Sequence, residues 1–265
     1  MMNNFLSIKN AEKKISATEF LSKISSMSHT NREIEAVDAF LSGHTPERQK
    51  LLKEINVIVP IQQLIGKTTT VNLKLFVLQD YITIGNEDDF IRFPLNPMNA
   101  QIIADAVGCT FPTSKICDYI WGASKKLPPQ PWGPPYNHEM MSLNRYKIHN
   151  ERINTTIKNL KYDFSDLLCG HKKNVVLSPR LISRPKQVAI YGWHQANGKP
   201  IQPVSLIHEN TYSDYAHGIR LVSNKCFIND DEYHLHELFE HEKFHKLVSS
   251  EGILKLFRQP LTKKV

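Results

Sequence analysis

A chain of 265 residues suffices for one large domain or two small ones and can bury most of its apolar surface. Its 41% hydrophobic content is that of an ordinary globular protein, and its formal charge of +7 raises the question of a nucleic-acid partner. The basic residues are dispersed, however. The densest groups (Lys125 with Lys126, Lys172 with Lys173, Lys263 with Lys264) form no stripe with interleaved aromatics, so nucleic acid is not expected as a partner. The four cysteines, Cys109, Cys117, Cys169 and Cys226, contain no C-x-x-C pair, which argues against a zinc ribbon, a thioredoxin motif or a disulfide scaffold.

Residues 1–27 mix Lys, Glu and Ser through their apolar positions and lack the core of a secretory signal. The longest apolar run, 55–65, is broken by Asn56, Pro60, Gln62 and Gln63, well short of the ~20 residues of a membrane helix. The expectation is a chain without a membrane span, cytoplasmic or exported without an N-terminal signal.

Residues 1–54 read as a helical segment. Ala17, Phe20, Leu21 and Ile24 fall at helical spacing, as do Ile34, Val37, Phe40 and Leu41. Thr45 and Pro46 open a third helix. The first 30 residues are polar enough to be expected at the periphery. A main domain follows over 55–265. Residues 56–59 and 71–78 look like strands, the second alternating as Val71, Leu73, Leu75 and Val77, with a third strand at 81–84. Helices are expected at 99–107, 114–123, 145–160 and 235–247. Further strands are expected at 174–177, 187–191, 203–207 and 219–222. Between them, five prolines in residues 127–135 forbid regular hydrogen bonding. That stretch, carrying Trp132, is a linker or a rigid wall beside a site. The fold class is α+β: a single mixed domain with a central, mostly antiparallel sheet.

Candidate chemistry concentrates between His171 and Arg220. His194 and His208 each follow a short apolar strand, where a scaffold presents side chains to a pocket, and both are candidate ligands for a divalent metal such as zinc. Asp214 precedes His217 by three positions, close enough to hold one imidazole tautomer, with His217 as general base. Arg220 offers a planar fork for a carboxylate or phosphate. His171, Lys172, Lys173, Tyr191, Trp193 and Tyr212 are candidate substrate-binding residues. Cys109, just before the 114–123 helix, could complete a Cys-His-Asp arrangement with His217 and Asp214. His241, Glu242 and His245 make a formal H-E-x-x-H, which on one helix would suit zinc with Glu242 as base.

Most of the chain from about residue 32 to Gly252 resembles a family of uncharacterised bacterial proteins. The resemblance runs through Asp80, Tyr81, Gly85, residues 106–113, 118–121 and 126–128, Gly170 to Lys173, Tyr191 to His194, Ile201 to Pro203, and Asp214, Tyr215 and His217 to Val222. It implies one evolutionary unit and no particular activity. The stretch from His217 to Asn224 is similar to the Ser-His-Gly-Cys motif of L,D-transpeptidases, but Ala216 stands for the serine and Ile219 directly follows Gly218, so the nucleophilic cysteine is absent. Pro94 to Asn96, Ala100, residues 106–113, Tyr119 and Pro131 to Gly133 are similar to a short stretch of formylglycine-generating-type enzymes, whose Arg-Gly-Gly-Ser-Trp motif is missing.

The expectation is an enzyme, a hydrolase or acyl-transfer catalyst, acting on a small-molecule or peptide-like ligand. The alternatives are a non-catalytic binding protein or exported effector that recognises an anionic ligand through His171, Lys172, Lys173 and Arg220, and a zinc metallopeptidase built on His241, Glu242 and His245.

Overall fold

The computed structural model describes residues 6–62 and 68–260. The basic pair Lys263 and Lys264 and the end of the apolar run, Gln63 to Ile65, lie outside the described residues.

Alternation along Thr68–Leu78 makes it the central strand of the larger, six-stranded sheet. Leu52–Gln62 pairs with it along its whole length, from Leu52 opposite Leu78 to Gln62 opposite Thr68. Its other edge takes two short strands in turn, Lys225–Ile228 opposite Lys74 and Leu73, then Val222–Ser223 at Val77. Asp231–His234 and Cys109–Thr110 complete the sheet, and every pairing in it is antiparallel. A second sheet runs in the order Pro200–Ser205, Ile190–His194, Lys173–Val175, His217–Gly218, with only the last pairing parallel. The chain after Gly218 stitches the two sheets together, because Ile82 N donates to Ile219 O and Leu78 N to Leu221 O. The result is a single mixed α+β domain with a mostly antiparallel central sheet, as its patterning implied.

Local chemistry sets the helix starts. Asn96 caps Pro97–Ala106, with Pro97 in the first turn where its missing N–H costs nothing. Thr113 caps Ser114–Ala123 through the Ile116 amide, and Ser142 caps Leu143–Asn159 through the Arg145 amide. Gly218 is required by close approach: a Cβ there would fall 2.4 Å from the Tyr81 ring. No helix among the described residues is long and apolar enough to cross a membrane.

Three expectations change. The N-terminal segment is not peripheral, since Ala17–Lys23 opens on a Ser16–Glu19 capping box and buries Phe20 and Ile24 in the main core. Phe20 meets Phe93 edge-on at 5.5 Å. An apolar stripe on a short helix needs such a partner, and here the partner is the main domain. After Thr45 and Pro46 comes only a 3-10 turn, Glu47–Lys50, with Pro46 one position before it. Near the C-terminus the expected single helix is two, Leu235–Glu240 and His245–Val248, with His241 extended at ψ 129° between them.

Candidate functional site

In the smaller sheet Lys173 pairs with Gly192 on one side and with His217 on the other, which puts the three in one row across adjacent strands. Above this row lies a cavity of about 600 Å³, bounded by Lys173, Trp193, His208, Tyr212, Asp214 and Tyr215. The opposite side is supplied by Pro131, Trp132 and residues of the 136–141 stretch. The proline-rich segment is therefore a wall, not a linker. Trp132 N donates to the Tyr215 hydroxyl at 2.6 Å, and the guanidiniums of Arg145 and Arg152 lie 3.7 and 4.0 Å from its ring centre. Across from it, Trp193 adopts a left-handed backbone (φ 55°) directly after Gly192 (φ 125°). For a tryptophan such a conformation costs about 1–3 kcal/mol and persists only when its surroundings hold it. Trp193 Nε1 donates to His171 O at 3.3 Å, and the Lys173 ammonium lies 4.4 Å from the Trp193 ring centre.

The charged groups of the cavity have distinct settings. Asp214 accepts from Ala216 N at 2.8 Å and from the Tyr212 hydroxyl at 2.9 Å. Burial alone would raise its pKa, but His217, Lys173 and these two hydrogen bonds outweigh burial and hold it below the usual carboxylate value. His208 stacks on Tyr212 at 4.3 Å, and burial, helped by Lys173 and opposed by Asp214, lowers its pKa. Lys173 makes no side-chain hydrogen bond or ion pair among the described residues; burial lowers its pKa, with Asp214 opposing. Beneath them His217 is fully buried, and neither ring nitrogen has a hydrogen-bond partner among the described residues. Its pKa is pushed down to about 4 by burial, against the pull of Asp214, so the ring is neutral.

A second polar layer underlies the floor. Asp80 accepts from Arg92 Nε at 2.7 Å and lies 3.0 Å from His171 Nε2, with all three side chains buried. Burial would raise Asp80, but Arg92 and His171 hold it ionised, far below its ordinary value. An ionised carboxylate can only accept, so His171 Nε2 carries the shared proton. Burial, only partly opposed by Asp80, pushes His171 down to about 4. Lys172, lowered to about 7 by burial and then by Arg92, donates through Nζ to Tyr215 O at 2.5 Å. It thereby ties the buried layer to the cavity floor.

Several candidate residues are placed otherwise than their spacing suggested. Asp214 does not hold a tautomer of His217 by hydrogen bond: in the tight turn His217 N donates to the Asp214 backbone oxygen, and the Asp214 side chain caps Ala216. Arg220 is fully buried, its guanidinium donating to Leu78 O and Leu168 O at 2.6 Å each and facing the Tyr81 ring. It is a structural clamp with no fork left for an anion. Cys109 pairs with Ser223 in the larger sheet, away from the cavity lining, and burial pushes its thiol up to about 12. Both features suit a buried thiol rather than a thiolate. Tyr191 and His194 both bond to Asp118 Oδ1, at 2.7 and 2.9 Å, and neither is among the residues lining the cavity that His208 borders. His241 and His245 are not on one helix; His241 Nδ1 instead accepts from Lys243 N and Phe244 N, which ends the helix and removes the H-E-x-x-H geometry. Among the described residues no group of three or more His, Cys, Asp or Glu is arranged to hold a metal ion.

Lys173, Trp193, His208, Tyr212 and Asp214 thus line one cavity, with His171, Lys172 and His217 buried around its base. Tyr136, His138, Met140 and Met141, which line the wall beyond Trp132, were not among the candidate residues. Their signal was a cluster of aromatic, His and Met side chains directly after the proline run. Compared with family models, curated proteins and solved structures, the chain matches none.

Proposed function

We propose that the cavity is the active site of a hydrolase acting on an acyl bond, with water as nucleophile and His208 as general base. One observation carries this reading: a neutral-leaning imidazole and an unpaired ammonium, His208 and Lys173, face the same enclosed space. No Ser, Thr or Cys lines that space among the described residues, which favours direct attack by water over an acyl-enzyme. In the proposed step His208 takes a proton from water as the water oxygen bonds to the acyl carbon. Lys173 stabilises the charge that develops on the acyl oxygen. The carbon–leaving-group bond then breaks and His208 returns the proton to the departing oxygen or nitrogen, giving a carboxylic acid and an alcohol or amine. Asp214, ionised nearby, stabilises the transient imidazolium.

A pH profile tests the assignment. The base must be unprotonated, and its pKa lies below the ordinary 6.5. On a panel of activated esters and amides, kcat/KM should therefore rise with pH along a single limb below 6.5 and stay flat to neutrality. Lys173→Met should lower the plateau and, because the Lys173 charge helps hold the His208 pKa down, move the limb somewhat upward. A limb above pH 7, or none, would contradict the role given to His208. A non-catalytic site for an anionic ligand is the second reading, favoured by the same unpaired Lys173; it expects no turnover on any member of the panel.

A further inference from the structure

We infer that the ligand of this cavity is an acidic carbohydrate: a sugar ring or short oligosaccharide bearing a carboxylate. The inference rests on the reading that the cavity is the substrate site, and it names the substrate class.

Three features carry it. First, aromatic side chains border the space: Trp193 lies 6.5 Å from Tyr215 by ring centres, and Trp132, its ring already covered by the Arg145 and Arg152 guanidiniums, lies 6.2 Å from Tyr215 on the other side. Indole and phenol faces stack against flat, weakly polar surfaces, including the C–H faces of pyranose rings. Second, polar groups alternate with these faces. Asp214 keeps lone pairs beyond the two hydrogen bonds it accepts, and His208, His138 and Asn137 also border the space. An aromatic ligand would bury these groups unpaired, each at a desolvation cost, whereas a polyhydroxylated ring satisfies them while still offering a face to Trp193 and Tyr215. Third, Lys173 brings a cation in no ion pair among the described residues, its charge answered only at longer range by Asp214, beside the Trp193 ring. The two arginines on the wall tryptophan, Arg145 and Arg152, are engaged on the Trp132 ring, and Arg145 also donates to Glu139. With no bidentate fork free, a single carboxylate suits the site better than a phosphate.

The test is a titration of the full chain, read by tryptophan fluorescence, with trigalacturonic acid, the uncharged α-1,4-linked trisaccharide maltotriose, and 4-hydroxyphenylacetate. Trigalacturonic acid should bind at least about tenfold more tightly than either, a ratio corresponding to ~1.4 kcal/mol. Lys173→Met should erase its advantage over maltotriose, and Lys173→Arg should keep most of it. Equal binding of maltotriose, tighter binding of 4-hydroxyphenylacetate, or no saturable binding of trigalacturonic acid would each overturn the inference. Repeating the titration on His208→Gln separates the two claims. Sugar binding without turnover in any variant would sink the hydrolase and leave the carbohydrate site; ester hydrolysis without sugar binding would do the reverse.

Discussion

Asp80→Asn is expected to destabilise the fold by about 3–5 kcal/mol, the usual cost of removing one partner from a buried charge pair. The cause is what it leaves behind. Arg92 is fully buried, and Asp80 supplies the only carboxylate that pairs with it among the described residues, at 2.7 Å. The remaining guanidinium contacts, to Asn150 and Asn154 side-chain oxygens, are neutral and cannot compensate the charge. His171 loses its ionised partner at the same time. With total stabilities of roughly 5–15 kcal/mol for a domain, the variant should lose a large share of its margin. Denaturant unfolding measures this directly. Glu242→Gln, on the exposed turn near the C-terminus, should change stability by less than about 0.5 kcal/mol. An Asp80→Asn midpoint as close to wild type as that control would show that the buried layer does not hold the structure.

The second large effect is acid lability. His171 and His217 are fully buried, and burial pushes each from 6.5 down to about 4. The folded pKa is below the unfolded one, so the unfolded chain binds more protons at mildly acidic pH. The stabilisation is thus complete above pH 6.5 and is lost as pH falls from 6.5 toward 4. Each imidazole contributes about 3 kcal/mol to that loss. His149, buried with no partner for either ring nitrogen among the described residues and lowered further still by burial, acts in the same direction. Glu33 works the other way, since burial raises its carboxyl, but it is one group against several lowered histidines. Unfolding midpoints measured from pH 7 to pH 4 should therefore fall steeply, and His217→Gln should shallow the fall by about one proton's worth of slope. A midpoint constant between pH 7 and pH 5 would contradict the burial of these rings as neutral groups.

What could be read in the residues was mostly local. The alternation from Val71 to Val77 marked the central strand, and Thr113 before an apolar run marked the helix Ser114–Ala123 with its observed bounds. Rigid prolines with a tryptophan among them left two readings, a linker or a wall beside a site, and the segment borders the cavity. What could not be read depends on partners distant along the chain. Arg220 looks like an anion fork until Leu78 and Leu168 supply its acceptors from 142 and 52 positions away. Nothing in the sequence paired Asp80 with Arg92, and only folding brings His171 to them. The His241 to His245 spacing suits a helix, but the His241 ring accepts the next turn's amides and stops the helix there. Period and capping act over a few residues; the pairing of buried charges is decided by topology.

The most direct test of the central claim is kcat/KM for His208→Gln beside wild type, on whichever ester or amide of the panel the wild type turns over. Glutamine keeps a polar side chain against Tyr212 but cannot act as a base near neutral pH. Circular dichroism and the unfolding midpoint should match wild type, since His208 is only partly buried and its imidazole makes a ring contact, not a hydrogen bond, with Tyr212. Turnover at neutral pH should fall by roughly a hundredfold or more, the scale of lost general-base help, and the limb below pH 6.5 should disappear with it. A folded His208→Gln protein that keeps wild-type turnover and the same pH limb would contradict the account.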